Sequence, residues 1–197
     1  DISILNTKRE KLKIEGQKKN IKVTFLPFIM KAVIKTLKEF PSFNSSLDHQ
    51  GKNLVIKNYY NLGIAVDTPT GLIVPVIKNV DKKSINTLSK ELMGISERAR
   101  LEKLKPGELK GGSFTISSLG GIGGTYFTPI INPPEVAIMG VSKSIWKPIY
   151  NHKPKEIIPT YTMPFSLSYD HRVIDGALGA AFTSFFSNAV LDSTTFD

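Results

Sequence analysis

Between residues 166 and 182 the chain reads SLSYDHRVIDGALGAAF, which gathers Asp170, His171, Arg172 and Asp175 into one short stretch. The chain has 3 histidines in all, so one flanked by this much charge is a candidate for proton transfer. The competing reading is a buried histidine satisfied by the neighbouring carboxylates. FSLSYDH alternates apolar and polar residues, which predicts a strand delivering His171 to its end. GALGAAF then predicts a helix, so residues 171–176 form a strand-to-helix turn. Strand ends are where α/β proteins put chemistry. His49 and His152 lie in polar, turn-like contexts and read as surface residues, with no metal-ligand spacing to His171.

Other motifs fail on their spacing. SSLGGIGGTY (117–126) offers Gly121 and Gly123, but Tyr126 stands where a third glycine belongs and no Lys-Ser/Thr follows. Neither a dinucleotide fingerprint nor a phosphate loop is met, and the segment reads as a tight turn packed closely by its backbone. No G-x-S-x-G surrounds any serine, so a hydrolase elbow is unsupported.

The elements that position these residues follow from periodicity. Ile2, Leu5 and Leu12 predict a short helix over 1–13, broken by EGQKKN. A helix with Pro27 in its first turn carries Ile29, Val33, Leu37 and Phe40 on one face and ends at Pro41. Residues 44–80 predict three strands around turns at DHQG and TPTG. Residues 82–104 predict a helix with Ile85, Leu88, Leu92, Ile95 and Ala99 inward. Strands follow at 113–120, 135–146 and 160–171, with a hairpin-like YNHKPKEIIP and a final helix, GALGAAFTSFFSNAVL. Helices and strands alternate without repeats, which predicts one mixed α/β domain.

Composition narrows the function. The 197 residues carry a net charge of +9, but the lysines are scattered among acidic residues. No stretch interleaves aromatics with arginine, and no nucleic-acid motif is present. The charge reads as a solvated surface or as attraction to a polyanionic cofactor. There is no cysteine, which removes disulfides, iron–sulfur clusters and cysteine nucleophiles and suits a reducing compartment. No apolar run is long enough to cross a bilayer. The N-terminus is too charged for a secretory signal, and its lack of Met suggests a fragment of a longer chain.

The pattern D-H-R-x-x-D-G resembles the CoA-dependent acyltransferases of the chloramphenicol acetyltransferase type. The longer LSLSYDHRVIDGA is similar to the dihydrolipoamide acyltransferases, the core components of 2-oxo acid dehydrogenase complexes. DISILNTKR, FIMKAVIKTLKEFPSFNSSL, YYNLGIAVDTPTGLIVPVIKNV, GGSFTISSLG and TPIINPPEVAIMGVSKS agree in the same order. The resemblance therefore spans residues 1–192, and its glycine-rich segment looks closest to bacterial acetyltransferases of the pyruvate dehydrogenase complex.

The resemblance implies a two-layer α/β fold with a mixed sheet. It implies acetyl transfer between a dihydrolipoyl thiol and coenzyme A, with His171 as general base, Ser117 as oxyanion stabiliser and no metal. Asp175 could orient the imidazole like a triad carboxylate, whereas the family implies an ion pair with Arg9 that holds the turn. Ser118, on the other face of its strand, is the control position. The implied assembly is a homotrimer in which the histidine of one subunit faces the serine of the next, built into a cubic core of 24 chains or, alternatively, a dodecahedral one. The implied partners are the decarboxylase and dihydrolipoamide dehydrogenase components, in a bacterial cytoplasm or, alternatively, a mitochondrial matrix. Residues 1–197 are then a catalytic domain lacking its N-terminal arm, its lipoyl domain and its peripheral-subunit-binding domain. Alternatives are a succinyl- or branched-chain acyltransferase, a relative acting on an antibiotic hydroxyl, or a non-catalytic assembly core.

Overall fold

The computed structural model describes residues 1–196. Its helices are α1 (Ser3–Gln17), α2 (Leu26–Glu39), α3 (Ile85–Arg100) and α4 (Gly176–Leu191). Its strands are β1 (Ser45–Leu47), β2 (Leu54–Ile56), β3 (Leu62–Ile64), β4 (Val66–Thr68), β5 (Gly71–Ile73), β6 (Val76–Ile77), β7 (Phe114–Ser118), β8 (Ala137–Val141), β9 (Ile145–Asn151), β10 (Glu156–Thr162) and β11 (Phe165–Tyr169). Among the described residues no helix is long and apolar enough to cross a membrane.

Helix boundaries obey local chemistry. In α2, Pro27 occupies the first turn and the helix stops at Glu39, two residues before Pro41. In α3, the Ser84 side chain caps the start by accepting from the Thr87 amide. Its expected inward residues, Ile85, Leu88, Leu92, Ile95 and Ala99, are all buried. Helix α1 runs through EGQ to Gln17 rather than ending at 13, and the chain turns at Asn20, whose φ of 53° is left-handed.

The central sheet is mixed, in the order β11-β8-β7-β3-β6. β8 runs parallel to β7 and antiparallel to β11. Strand pleating sends Phe114, Ile116, Met139, Val141, Phe165 and Leu167 to one face. Helices cover that face: Phe182 of α4 stacks on Phe114 at 6.1 Å, and Phe186 meets Phe165 edge-on at 4.9 Å. The other face carries Ile138 and Val76 among mostly small and polar residues, Gly63, Thr115, Ser117, Gly140, Ser166 and Ser168.

Three of the regions expected as strands are subdivided. Residues 44–80 form six short strands rather than three. The run 135–146 splits into β8 and β9, and 160–171 splits into the end of β10 and β11. In both later cases the chain leaves one sheet for another, because β9 and β10 pair only with each other. The breaks face one another, with the Ser142 amide donating to the Pro164 carbonyl at 3.0 Å. An apolar run reports burial, not which sheet a strand joins.

Candidate active site

His171 lies one residue beyond the sheet ladder, which ends where the Asp170 amide donates to the Val136 carbonyl at 2.8 Å. The Asp170 carbonyl accepts from the Val173 and Ile174 amides and closes the turn, with Ile174 fully buried as its anchor. The Arg172 guanidinium grips the Asp170 carboxylate at 2.9 Å from Nε and 2.6 Å from Nη2, which holds that carboxyl below its ordinary range. Asp175 accepts from the Leu178 amide at 2.8 Å and caps α4. Both carboxylates are therefore committed elsewhere. His171 is exposed, its ring 5.9 Å from that of Tyr169, with no hydrogen-bond partner among the described residues. A buried, carboxylate-satisfied histidine is excluded. The turn presents a free imidazole beside a cleft of about 450 Å³ whose lining includes Asp48, Glu135, Asp170 and Arg172.

Ser117 is half-buried near the end of β7, and its hydroxyl likewise has no partner among the described residues. It pairs across with Gly140, and Gly140 with Ser166. Gly140 is a required glycine: a Cβ there would come within 2.8 Å of both the Phe127 ring and Ser166 Oγ. The missing side chain lets Phe127 pack over the sheet beside Ser117, and the Ser166 hydroxyl fastens the Phe127 carbonyl.

These two groups do not meet within one chain. Ser117 is level with Ser166, whereas His171 lies five residues further along β11 and two strands across. At roughly 3.3 Å per residue and 4.8 Å per strand, their Cα atoms are about 19 Å apart. Because β7 and β11 are antiparallel, their ends open on opposite edges of the sheet. One chain holds the two groups at separate places on the sheet.

The Arg9–Asp175 ion pair is absent among the described residues, a correction to the expectation above. Arg9 lies 4.2 Å over the Phe25 ring and donates to Asn6 at 3.1 Å and to Glu10. Asp175 is occupied by its capping bond. His49 is exposed on the rim of the cleft beside the His171 turn, and His152 is exposed at the β9–β10 turn. Ser118 faces the helical side, as its place on the strand requires. There it lines a cleft of about 520 Å³ that also holds Arg100, Lys143 and Asp67. Sequence reading did not single out Arg100 or Lys143. The glycine-rich turn after β7 was the one signal that something packs closely there.

A chloramphenicol acetyltransferase shares the fold at a TM-score of 0.56 and 14% identity, over 90% of this chain and 82% of that one. Residues 1–196 match the family model for the 2-oxoacid dehydrogenases acyltransferase (catalytic domain), and the chain belongs to that family. The acetyltransferase component of the pyruvate dehydrogenase complex from Cupriavidus necator is 54% identical over 98% of this chain. This chain spans 34% of that relative's length. Two solved structures align at a TM-score of 0.96 and 48% identity, over 100% of this chain and 80% of each of theirs. One is the cubic core of a pyruvate dehydrogenase multienzyme complex. The other is the dihydrolipoamide acetyltransferase of Azotobacter vinelandii, studied for the catalytic roles of a serine, a histidine and an asparagine four residues after that histidine.

Proposed function

We propose that this chain is the catalytic unit of a longer bacterial cytoplasmic protein and moves an acetyl group between a dihydrolipoyl thiol and CoA. The observation that carries this reading is the pair of unsatisfied half-sites, the imidazole of His171 and the hydroxyl of Ser117, on a chain of this family. A neutral imidazole takes the thiol proton as the sulfur attacks the thioester carbonyl carbon. The new C–S bond pushes an electron pair onto oxygen, and that oxyanion accepts a hydrogen bond from Ser117. Collapse of the intermediate breaks the original C–S bond, and the imidazolium returns its proton to the departing thiolate. No acyl-enzyme is required.

The interval of four residues from His171 to Asp175 equals that between the histidine and the asparagine studied in the Azotobacter enzyme, which supports reading Ser117, His171 and Asp175 as counterparts of its serine, histidine and asparagine. Aspartate and asparagine both cap helices well, so Asp175 acts by holding the turn through the Leu178 amide. CoA enters as substrate, and the cleft at the end of β7 offers Arg100 and Lys143 to its phosphates. The lipoyl group arrives on a separate domain.

A complete site needs the Ser117 of one copy and the His171 of another. A homotrimer within a cubic core of 24 chains, bound by the decarboxylase and dihydrolipoamide dehydrogenase components, meets that need in this family's pattern. Exposed Trp146, Ile157 and Ile130, at 65%, 67% and 90%, are suited to contacts between copies. The test is acetyl transfer from acetyl-CoA to dihydrolipoamide. We expect turnover by this protein and its loss in a folded His171→Ala variant. Equal turnover by the two would end the acyltransferase reading.

A further inference from the structure

Glu135 is a buried carboxylate, 6% exposed, that the proposed chemistry does not use. Its Oε2 accepts from the Thr115 hydroxyl at 2.6 Å, and its amide donates to the Asn132 carbonyl at 3.0 Å. Lys57 is the cation that acts on it, while its own Nζ donates to the Gly112 carbonyl at 3.3 Å. The pocket for this carboxylate is built: a Cβ on Gly112 would lie 2.5 Å from Glu135 Oε1. Burial in that pocket pushes the Glu135 carboxyl up to about 7. A group so costly to bury calls for a reason beyond packing.

Its place in the chain supplies one. Thr115 sits in β7, an interior strand bonded on both sides. Residues 131–136 form the connection into β8 and wall the cleft beside the His171 turn. The next residue, Val136, supplies the carbonyl that accepts the Asp170 amide, and His171 follows directly. An interior strand thus holds the connection, and that connection holds the His171 turn.

We propose that Glu135, through its bond to Thr115, is a positioning residue for His171. The bond fixes segment 132–136 on β7, and Val136 in turn fixes where the turn begins. Such anchoring is where small displacements become large rate losses. The inference rests on His171 being the base of the proposed reaction.

The test uses the assembled protein and its acetyl-transfer kinetics. Thr115→Val removes the donor while keeping shape. We expect kcat to fall about ten- to a hundred-fold with KM for CoA changed less than about three-fold. Thr115→Ser restores the donor and turnover, and Glu135→Gln, which keeps an acceptor, stays near the parent rate. In a His171→Ala background Thr115→Val causes no further loss, since the base it positions is gone. If Thr115→Val does not assemble, Thr115→Val with Glu135→Leu replaces both partners by apolar groups and leaves no polar atom unpaired. We expect the same fall in kcat. An assembled Thr115→Val with parental kcat overturns the proposal, as does the same proportional loss with and without His171. If His171→Ala itself keeps full turnover, the acyltransferase reading falls too. If His171→Ala abolishes turnover while Thr115→Val does not reduce it, only the role of Glu135 is lost.

Discussion

The His171 turn and the end of β7 are both parts of one proposed reaction, yet they are built in opposite ways. The turn is a surface structure held by bonds among near neighbours: Asp170 to Arg172, Asp170 to Ile174, Asp175 to Leu178. Ser117 sits on an interior strand, and its position is set by pairing with Gly140 and, beyond it, Ser166. The turn needs only its own residues to be shaped correctly, whereas the serine needs the sheet. Neither group is satisfied alone, and the antiparallel relation of their strands keeps them about 19 Å apart in one chain. In the proposed reaction, a site divided this way makes association of copies a condition of catalysis.

Removing each half should separate them by size of effect. His171→Ala is expected to cost about 10²–10⁴ in kcat, as loss of a general base does. Ser117→Ala is expected to cost about 10²–10³, as loss of an oxyanion donor does. Ser118→Ala, on the opposite face, should cost far less. The two dead variants then test the division directly. When they are unfolded together, mixed equally and reassembled, random pairing restores an intact His171–Ser117 pair at about a quarter of the contacts between copies. We expect a corresponding fraction of parental activity. A mixture no more active than its parts would mean that both groups serve a site within one chain.

The same contrast explains what was legible in the sequence. The strand, the turn at His171 and the helix after it could be read from FSLSYDHRVIDGALG, because alternation and turn chemistry are local, whereas the capping bond of Asp175 and the bond from the Asp170 amide to Val136 were not read. Helices α3 and α4 were readable for the same reason. The splitting of 135–146 and 160–171 was not readable, since strands change sheets there through pairings remote in sequence. Ser117 looked no different from Ser118 by pattern, and only the family resemblance distinguished it. The Arg9–Asp175 pair came from that resemblance alone. Geometry gave Arg9 to Phe25 and Glu10 instead. Glu135 was silent because its burial depends on Thr115 and Gly112, which another strand and loop supply.

Stability against pH should distinguish the interior from the turn. The carboxyl of Glu135 titrates near 4.5 when exposed and at about 7 in the folded chain, chiefly because burial disfavours its charge. Between those values the folded chain keeps a proton that the unfolded chain has released. Its contribution to stability is therefore full below pH 4.5 and declines as pH rises to about 7, by about 3 kcal/mol. Denaturant unfolding of the parent and of Glu135→Gln across pH 4.5–8 should show the decline in the parent alone. Parallel curves would mean that Glu135 keeps an ordinary carboxyl in the fold.

The smallest expected effect decides what Asp175 does for the turn. Two roles are open to a carboxylate four residues after the histidine. As a partner that orients the imidazole, its charge would be essential, and Asp175→Asn would cost turnover by orders of magnitude. As the cap of α4, only its acceptor oxygen matters, and asparagine supplies one. The bond from the Leu178 amide at 2.8 Å favours the cap. Asp175→Asn is therefore expected to keep kcat within about three-fold and to leave stability nearly unchanged. Asp175→Ala, which removes the acceptor, should lose about 1 kcal/mol, seen as a fall of about 2–4 °C in the melting temperature. If asparagine instead abolishes turnover while the melting temperature holds, the carboxylate charge acts on His171 itself, and the half-site at the turn is a triad rather than a lone base.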